Sequence, residues 1–515
     1  MLVIAALALI ISLQHLNEPP AYIHAWAQAD NYSLALGFQH NGGDFFHPQT
    51  LIYNKQQKGY EDPVSLVTAC DLPLHHWLVS GLMTVTGSRQ PWVFRGFTLA
   101  ISILGLWALY LLAFSMTHSR SKALLAASIT ATAPTFAYYS SSFLPSSPAL
   151  ALAMGGLLLY VLHVRDNKTW TLYVGLLLLT LAMMERTSMA VLWVATTCFQ
   201  VLRIWQHEAT LRRSWPPFVT GAALFAAWWF WSMHLRNEYG SLFLGSLLPV
   251  HNLDEAKEIM RNIHFRWRLH YFQHLHYALF LATLVGVIVS LATQRKKERH
   301  DRGHLSLWWF LAIWMFGEVL FVIAMSRQFM HHDYYFLDSL FLPLVFLFIL
   351  MLGTIPNPTS RQAQATILVI LLVLTGFMAA EALKMQQIRR TEGTGEFQTA
   401  MRYKGANQML EQNGLGSKEL RFLTLFSYPQ NLPFVMMDRE GYAVMWADPE
   451  VVAHALTFDY DYILVEDEVF RREFETSPLQ VLPRLKRLAG NGEISVCTLS
   501  DSVLHPTADH FFKTE

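Results

Sequence analysis

One aspartate close to the first apolar segment is the residue best suited to catalysis in this chain. Asp30 ends the stretch His24-Ala25-Trp26-Ala27-Gln28-Ala29-Asp30, which follows the apolar run of residues 2–16 by only a few positions. A carboxylate placed where a bilayer ends is energetically costly, and such residues usually serve a function. In water-poor surroundings it could take a proton from a hydroxyl group, which is general-base chemistry. The alternative is that Asp30 anchors an interfacial helix.

Other polar residues with potential chemistry fall in the first polar loop or at the ends of later apolar runs. They are the acids Asp44, Glu61, Asp62, Asp71, Glu185 and Asp333 and the cations Arg186 and Arg327. An acid that takes a proton and a cation that stabilises a departing phosphate are what sugar transfer from a lipid-linked phosphate requires. Because nucleotide sugars are cytoplasmic, a site on the outer face would take its sugar from a lipid carrier.

Histidines are dense in the same regions of the sequence. They are His24, His40, His47, His75, His76, His331 and His332. Their intervals match no known metal-ligand spacing, so a divalent metal bound by His and Asp is an alternative to histidines that hydrogen-bond at the interface. The nearby aromatic residues Tyr334, Tyr335, Trp308 and Trp309 are typical of membrane-interface anchors.

The composition predicts a polytopic membrane protein. Of 515 residues, 53% are hydrophobic and only 15% are charged, too few to cover a soluble protein of this size. A formal net charge of +0 provides no basic field for nucleic acid, and the sequence has no Gly-rich phosphate loop. Three cysteines, Cys70, Cys198 and Cys497, make no disulfide framework, although a Cys70–Cys497 bridge is an alternative outside the cytoplasm.

Eleven apolar runs, give or take one, are candidate transmembrane helices. They cover residues 2–16, 94–116, 123–138, 148–164, 172–184, 188–201, 218–235, 274–292, 305–325, 336–353 and 365–383. The first run lacks a basic flank and a cleavage site, so we expect it to be retained. The two short runs on either side of Glu185 are alternatively one bent element.

Lysine and arginine fall in alternate short loops, and this predicts the orientation of the chain. The basic set is Arg120, Lys122, Arg165, Lys168, Arg203, Arg212, Arg213, Arg295, Lys296, Lys297, Arg299, Arg302 and Arg361. The opposite loops hold little basic beyond Arg186 and Arg327, so the first set is predicted to be cytoplasmic. The loop that carries Asp30 and everything after Leu383 would then face outward.

Two domains are predicted. Residues 1–383 form the membrane domain, whose first external loop spans 17–92 and contains an interfacial helix near 71–78 with Pro73 in its first turn. Residues 384–515 form a small extracytoplasmic α/β domain. Strands are expected at 421–426 and 462–465, and a turn entering a strand at 437–444. The tail shows no catalytic motif, so we expect a lid or docking surface.

Five short motifs occur in an order that resembles a known family. They are His24-Ala25-Trp26-Ala27-Gln28-Ala29-Asp30, Phe46-His47-Pro48-Gln49, Asp71-Leu72-Pro73-Leu74, Phe143-Leu144-Pro145 and His332-Asp333-Tyr334-Tyr335. The chain resembles bacterial membrane glycosyltransferases of the GT-C superfamily, similar to the protein O-mannosyltransferases and the lipid A aminoarabinose transferase (glycosyltransferase family 39-like). The resemblance implies a GT-C-like membrane domain with a long first external loop and an extracytoplasmic C-terminal domain.

The resemblance also implies roles for individual residues. Asp30 corresponds to the catalytic base, Arg186 to a donor-phosphate ligand, and Asp71 to the acidic residue before the Pro-Leu pair. Two positions depart from the family pattern: Ala27 stands where relatives often have Arg, and Ser146-Ser147 stands where an acid commonly follows Leu-Pro. These departures keep open the alternative of an inactive scaffold subunit.

The leading hypothesis is an inverting glycosyltransferase of the bacterial inner membrane. It would move a sugar from a polyprenyl phosphate to a hydroxyl of a lipid, glycan or protein at the outer face. Asp30 would act as base, and Arg186, with Arg327 or His332, would bind the donor phosphate. Further substrate contacts are expected from His24, Trp26, Gln28, Asp71, His75, Glu185, Asp333 and Tyr334.

This scheme requires no cofactor, and a divalent metal stays an alternative. The alternative function, which is not enzymatic, is that of a transporter or flippase of lipid-linked glycans. Transporters usually place ionisable groups near the bilayer midplane, and Glu318 is the one deep acid in this sequence.

Overall fold

The computed structural model describes residues 2–53, 65–293, 302–391, 395–476, 479–505 and 507–512. Within these ranges the chain is mostly helical. The α-helices, in chain order, are α1 (Leu2–Ser12), α2 (Ala25–His40), α3 (Leu74–Thr86), α4 (Pro91–Thr117), α5 (Arg120–Thr132), α6 (Pro134–Tyr139), α7 (Ser146–Asp166), α8 (Thr169–Glu185), α9 (Ala190–Trp205), α10 (Leu211–Tyr239), α11 (Leu253–Asn262), α12 (Arg268–Tyr271), α13 (His274–Thr293), α14 (Arg302–Ala324), α15 (Ser326–His331), α16 (Tyr334–Leu337), α17 (Phe341–Thr354), α18 (Arg361–Thr391), α19 (Gly395–Arg402), α20 (Ala406–Gln412), α21 (Leu432–Met437), α22 (Pro449–Ala455), α23 (Asp467–Thr476) and α24 (Ala508–Phe512). Short 3₁₀ turns lie at Leu13–His15, Thr187–Met189 and Leu482–Arg484, and a π-helical turn lies at Ile263–Trp267.

Every predicted apolar run contains a helix. In the described part of the chain, six helices are long and apolar enough to cross a membrane: Pro91–Thr117, Ser146–Asp166, Thr187–Trp205, His274–Thr293, Ser306–Ala324 and Arg361–Arg390. Three shorter apolar helices are Leu2–His15, Thr169–Glu185 and Phe341–Thr354. The runs beside Glu185 form two helices rather than one bent element, because Arg186 between them is extended.

The run predicted at residues 123–138 is interrupted. Helix α5 ends at Thr132, and Ala133 adopts ψ 123° before α6 begins at Pro134. The proline ring disfavours helical geometry in the residue that precedes it, so the chain turns at Ala133. Helix α3 differs similarly from its prediction: Pro73 stands immediately before Leu74 rather than within the first turn, and the helix continues to Thr86.

Contacts divide the chain into two compact units. Unit 1 comprises Met1–Leu16, Arg95–Trp229 and Gly245–Ile388, and unit 2 comprises Asn17–Phe94, Phe230–Leu244 and Arg389–Glu515. The first loop therefore groups with the tail, while the domain boundary at residue 383 stays a prediction.

Aromatic side chains fill part of the core of unit 1. Phe310 lies 5.4 Å from Phe199 and 5.9 Å from Phe346, measured between ring centroids. Tyr160 and Trp314 extend this buried cluster. Large aromatic side chains bury much apolar area each, which favours a defined arrangement of α7, α9, α14 and α17.

Unit 2 contains a mixed five-stranded sheet. Its strands are β1 (Phe422–Leu425), β2 (Gly441–Val444), β3 (Tyr462–Glu466), β4 (Leu485–Gly490) and β5 (Ile494–Leu499), in the order β2-β1-β3-β5-β4. Strand β1 pairs in parallel with β2 and β3, whereas β5 pairs antiparallel with β3 and β4. The strands expected at 421–426 and 462–465, and the turn into a strand at 437–444, are found as predicted.

The first loop adds to the edge of this sheet. Gly441 N donates to Leu51 O at 3.1 Å, and Tyr53 N donates to Gly441 O at 2.9 Å. A side chain could not replace the hydrogen of Gly441, because its Cβ would lie 2.0 Å from Phe422 O. A glycine is therefore needed where loop and tail join.

Candidate active site

Asp30 lies in the middle of α2, a helix buried on most of its surface. The helix starts after His24, whose backbone is left-handed (φ 56°), and twelve of its sixteen residues are buried. Asp30 itself is 4% exposed. Its backbone carbonyl accepts a hydrogen bond from Ser33 Oγ at 2.8 Å. The carboxylate predicted to be catalytic therefore belongs to an ordered helix of unit 2 rather than to a loop.

The tail of the chain supplies a hydrogen-bond donor to Asp30. Asn431 Nδ2 donates to Asp30 Oδ1 at 2.7 Å, and the Asn431 side chain is completely buried. Asn431 directly precedes α21, and its carbonyl accepts from Val435 N at 2.9 Å. A hydrogen bond from an amide to a carboxylate is charge-assisted and stronger than one between neutral groups.

Other residues predicted for this site lie on the same helix. Gln28 Nε2 donates to Ile23 O at 2.9 Å, which ties the side chain to the backbone that enters the helix. The Trp26 ring meets Tyr428 edge to face, with centroids 5.0 Å apart. Gln28 and Trp26 thus have structural contacts that fix α2, and their predicted substrate contacts stay predictions.

Helix α3 packs on α2 and carries the predicted residue His75. The His75 ring lies 5.0 Å from that of Phe94, and burial holds the pKa of His75 well below its usual value. The neighbouring His76 donates through Nε2 to Asn31 Oδ1 at 2.8 Å, and burial lowers its pKa to about 3. Both rings are therefore neutral at pH 7. Asp71, which precedes this helix, is half-buried.

In unit 1, Arg186 is held by an acid and two aromatic rings. Its Nε lies 2.6 Å from Asp338 Oδ2, and the Asp338 side chain is fully buried. The guanidinium carbon lies 5.4 Å from the ring centroids of both Tyr334 and Tyr335. His332 joins this group through Tyr334, with ring centroids 5.3 Å apart. The structure therefore brings the predicted residues Arg186, His332 and Tyr334 together.

Two further predicted acids of unit 1 are buried. Asp333 is fully buried and accepts a hydrogen bond from Tyr139 Oη at 2.6 Å. Glu185 is 3% exposed at the end of α8. A buried acid is costly without a hydrogen-bond partner, and Tyr139 provides such a partner for Asp333.

Arg327 has a different partner. Its Nε lies 2.5 Å from Glu255 Oε1, and its side chain is 36% exposed. A hydrogen bond from His251 N and the one from Arg327 lower the pKa of Glu255. The charge of Arg327 is thus compensated by Glu255, an acid in the first turn of α11.

A histidine of unit 2 binds two acids of the tail. Hydrogen bonding to Asp438, and then to Glu440, raises the pKa of His40 to about 9. His40 Nδ1 lies 2.7 Å from Glu440 Oε1, and Nε2 lies 3.7 Å from Asp438 Oδ1. Asp438 also pairs with Arg89 at 3.1 Å and with Lys418 at 2.8 Å. This cluster fastens the C-terminal end of α2 to the tail.

Unit 2 also contains a cavity of about 660 Å³. Its walls include the aromatic residues Tyr22, Tyr32 and Phe397 and the cation Lys404. Tyr32 is separated from Asp30 by two positions of α2, about 200° around the helix axis. The Tyr32 and Asp30 side chains therefore leave α2 in nearly opposite directions.

The metal alternative finds no support in the described ranges. There, no three His, Cys, Asp or Glu side chains are placed to share a metal ion. Cys70 and Cys497 are both buried and free, so the disulfide between them that the sequence left open does not form.

Several residues named from the sequence fall outside the described ranges. Glu61 and Asp62 of the first loop, and the basic residues Arg295, Lys296, Lys297 and Arg299, belong to this group. The side chain of Arg302 belongs to it as well.

Sequence reasoning missed two residues of these clusters. Asp338 was included in an apolar run, although an acid near the end of such a run is itself a signal of function. Asn431 carries no such signal, because a Gln-Asn-Leu-Pro sequence is ordinary at the start of a short helix. Its partner lies 401 positions away in the sequence.

Part of the chain matches a family model. Residues 70–231 match the model described as dolichyl-phosphate-mannose-protein mannosyltransferase. No curated protein matches the chain significantly by sequence.

Comparison with solved structures gives matches over most of the chain. ArnT from Cupriavidus metallidurans, crystallised bound to undecaprenyl phosphate, superposes with a TM-score of 0.60 at 12% identity, covering 98% of this chain and 99% of that chain. The same protein in the apo state gives a TM-score of 0.53 at 12% identity, with the same coverage of both chains. The Archaeoglobus fulgidus oligosaccharyltransferase, crystallised with Zn and sulfate, gives 0.50 at 11% identity, covering 92% of this chain and 68% of that chain.

At this level of identity the structural matches establish the fold. The expected architecture, a polytopic α-helical membrane protein with a small C-terminal α/β domain, is confirmed. The family match over residues 70–231 and the fold shared over nearly the whole chain confirm the resemblance to the GT-C superfamily of membrane glycosyltransferases that the ordered motifs predict.

Proposed function

We propose that this protein is a glycosyltransferase of the bacterial inner membrane. It moves a sugar from a polyprenyl phosphate to a hydroxyl group at the outer face. The observation that carries the proposal is the match of residues 70–231 to the mannosyltransferase family model. The fold shared with a protein crystallised with undecaprenyl phosphate supports a lipid-linked donor.

The proposed reaction is a single displacement at the anomeric carbon. The acceptor oxygen forms a bond to that carbon while the bond from carbon to phosphate oxygen breaks, and the polyprenyl phosphate leaves with the bonding electrons. Asp30 takes the proton of the attacking hydroxyl, as a general base. Because attack and departure occur on opposite faces of the carbon, the anomeric configuration inverts.

Arg186 is proposed to stabilise the phosphate as it leaves. Its charge is held in place by Asp338 at 2.6 Å and by the rings of Tyr334 and Tyr335. A guanidinium carries five N–H donors, so an ion pair through Nε does not by itself prevent a second anion from binding. His332 belongs to the same cluster, and Arg327, although paired with Glu255, is the further candidate cation.

The outward orientation of the site rests on the distribution of lysine and arginine. Residues such as Arg120, Arg165 and Arg361 fall on the predicted cytoplasmic side, opposite Asp30. The acceptor is a lipid, a glycan or a protein of the cell envelope.

The transporter alternative depends on Glu318, one oxygen of which has a local partner. Trp314 Nε1 donates to Glu318 Oε1 at 2.9 Å within the same helix. This contact within the helix gives one carboxylate oxygen of Glu318 a hydrogen-bond partner, so that oxygen does not require a transported ligand.

Mass spectrometry of cell-envelope glycans, with and without the protein, tests the proposed function. We expect one sugar adduct to disappear in the deletion strain and to return when the wild-type chain is expressed. Asp30→Asn should form that adduct at least about a hundredfold more slowly, the usual cost of losing a general base. Asp44→Asn is the matched control, because Asp44 is an exposed acid of the same loop. An unchanged glycan profile on deletion, or a wild-type rate for Asp30→Asn, would contradict the proposal.

A further inference from the structure

The C-terminal domain contributes a side chain to the proposed base. Asn431 Nδ2 lies 2.7 Å from Asp30 Oδ1, and both side chains are buried. A buried carboxylate needs hydrogen-bond donors, since leaving one unsatisfied costs more than the bond itself contributes in water. The tail, in which the sequence shows no catalytic motif, therefore takes part in the environment of Asp30.

The residues on both sides of Asn431 pack against α2. Leu432, the next residue, packs with Ala29 and Ala400 in a buried apolar cluster. On the other side, Tyr428 packs against Trp26 with ring centroids 5.0 Å apart. Trp26 and Ala29 both precede Asp30 on α2, so the segment 428–432 is held on the helix beside the carboxylate. The backbone at Asn431 cannot move without disturbing these contacts.

We propose that Asn431 is a positioning residue for Asp30, an inference that rests on the proposed function. The carboxylate of an aspartate can rotate about χ2, because this torsion has no sharply preferred angle. A donor fixed to Oδ1 sets the plane of the carboxylate and so the direction in which Oδ2 faces the attacking hydroxyl. An amide does this without adding a positive charge, so the carboxylate remains a competent proton acceptor.

The simpler role is structural: Asn431 would satisfy a buried carboxylate and hold the tail on α2. The two roles differ in what fails when the donor is removed. A structural role predicts that stability and lipid binding fall together with turnover. A positioning role predicts that turnover falls while lipid binding is kept.

Three substitutions at Asn431 separate these roles. Asn431→Ala removes the donor, Asn431→Leu removes the donor at nearly the same side-chain shape and adds no charge, and Asn431→Gln keeps an amide donor on a longer side chain. Asn413→Ala is the matched control, because Asn413 is an exposed asparagine of the same domain whose amide donates to Met409 O at 2.8 Å, within its own helix turn.

Each full-length variant is expressed in the deletion strain at equal level, and the rate of adduct formation is followed by mass spectrometry. Binding of undecaprenyl phosphate and the midpoint of thermal unfolding are measured on purified protein. We expect the adduct rate to fall at least about tenfold in Asn431→Ala and Asn431→Leu, with partial recovery in Asn431→Gln. The dissociation constant for undecaprenyl phosphate should stay within about twofold of wild type, and Asn413→Ala should match wild type in all three measurements.

Two results would overturn the positioning role: a wild-type rate in Asn431→Ala or Asn431→Leu, or a loss of rate matched by an equal loss of undecaprenyl phosphate binding. If Asn431→Ala does not fold, the similarly shaped Asn431→Leu decides. The Asp30→Asn variant separates the two proposals. If it forms adduct at the wild-type rate, the base assignment itself is wrong; if it is inactive while Asn431→Ala is active, only the role of Asn431 is wrong.

Discussion

Arg186 and Asp338 form an ion pair in which Nε and Oδ2 lie 2.6 Å apart, with the Asp338 side chain fully buried and the Arg186 side chain 21% exposed. Removing one partner of such a pair leaves an uncompensated charge in a water-poor environment. The pair therefore determines where the Arg186 guanidinium points, because the buried carboxylate gives it a fixed anchor.

Asp338→Asn should destabilise the protein and slow sugar transfer. We expect the free energy of unfolding to fall by roughly 3 kcal/mol, the usual cost of breaking a buried pair. Thermal unfolding of the detergent-purified protein measures the first effect, and the adduct rate measures the second. Arg361→Gln, at the exposed start of α18, is the control and should change neither. Wild-type stability in Asp338→Asn would show that the pair does not anchor Arg186.

Tyr139→Phe removes a buried donor to an acid. Tyr139 Oη donates to Asp333 Oδ1 at 2.6 Å, and both side chains are fully buried. A hydrogen bond to a charged group contributes about 1.5–3 kcal/mol, so unfolding should become easier by about that amount. Calorimetry or thermal unfolding checks this value. Tyr173→Phe, at a position 40% exposed, should have no measurable effect; equal stabilities of the two variants would rule out the contribution.

The His40 cluster should make stability depend on pH on the alkaline side. The pKa of His40 is raised from 6.5 to about 9 by Asp438 and Glu440. A raised pKa stabilises the fold fully below pH 6.5, and this stabilisation is lost as the pH rises through 9. Since one pKa unit equals about 1.4 kcal/mol, the shift corresponds to on the order of 3 kcal/mol.

The measurement is the thermal unfolding midpoint between pH 6 and pH 10, for wild type and His40→Gln. The wild type should lose stability over this range, and the variant should start lower and change less. Parallel curves for the two proteins would contradict the role of His40. His47→Gln is the control, since the ion pair of His47 is with the exposed acid Asp44.

Gly37→Ala should loosen the first loop. An added Cβ at Gly37 would lie 1.9 Å from the backbone oxygen of Gln49, so α2 and that segment would have to separate. We expect a loss of roughly 1–3 kcal/mol, typical of overpacking. Gly81→Ala is the control: this glycine lies on α3 in open space, where alanine should stabilise the helix by roughly 0.5–1 kcal/mol. A stabilising Gly37→Ala would contradict the close approach.

Local patterns in the sequence predicted most of the elements. Each apolar run contains a helix, and β1 and β3 lie where β-type residues alternate with turn signals. The interruption of the run at 123–138 was not predicted, although Pro134 is a local signal for it. A proline disfavours helical geometry in the residue before it, and α5 ends at Thr132. Strands β4 and β5 were missed because polar residues interrupt their apolar pattern.

The candidate site was only partly predictable. Asp30 and Arg186 could be named because an ionisable residue at the end of an apolar run is a local signal. The partners Asn431 and Asp338 become neighbours of the predicted residues only when the chain folds. Asn431 is 401 positions from Asp30, and Asp338 is 152 positions from Arg186. No spacing rule connects residues so far apart, and the resemblance to a family did not include them.

The pairing of Leu51 and Tyr53 with Gly441 has a consequence for biogenesis. The loop is synthesised early, but the backbone groups it must bond to are contributed by a residue almost four hundred positions later. Until that residue emerges from the ribosome, Leu51 and Tyr53 have no strand to join, and the entropy of closing so long a loop must still be overcome. This loop, although it is made long before Gly441, is therefore among the last parts to reach its final conformation, and a chain truncated before Gly441 should leave the loop open to proteases.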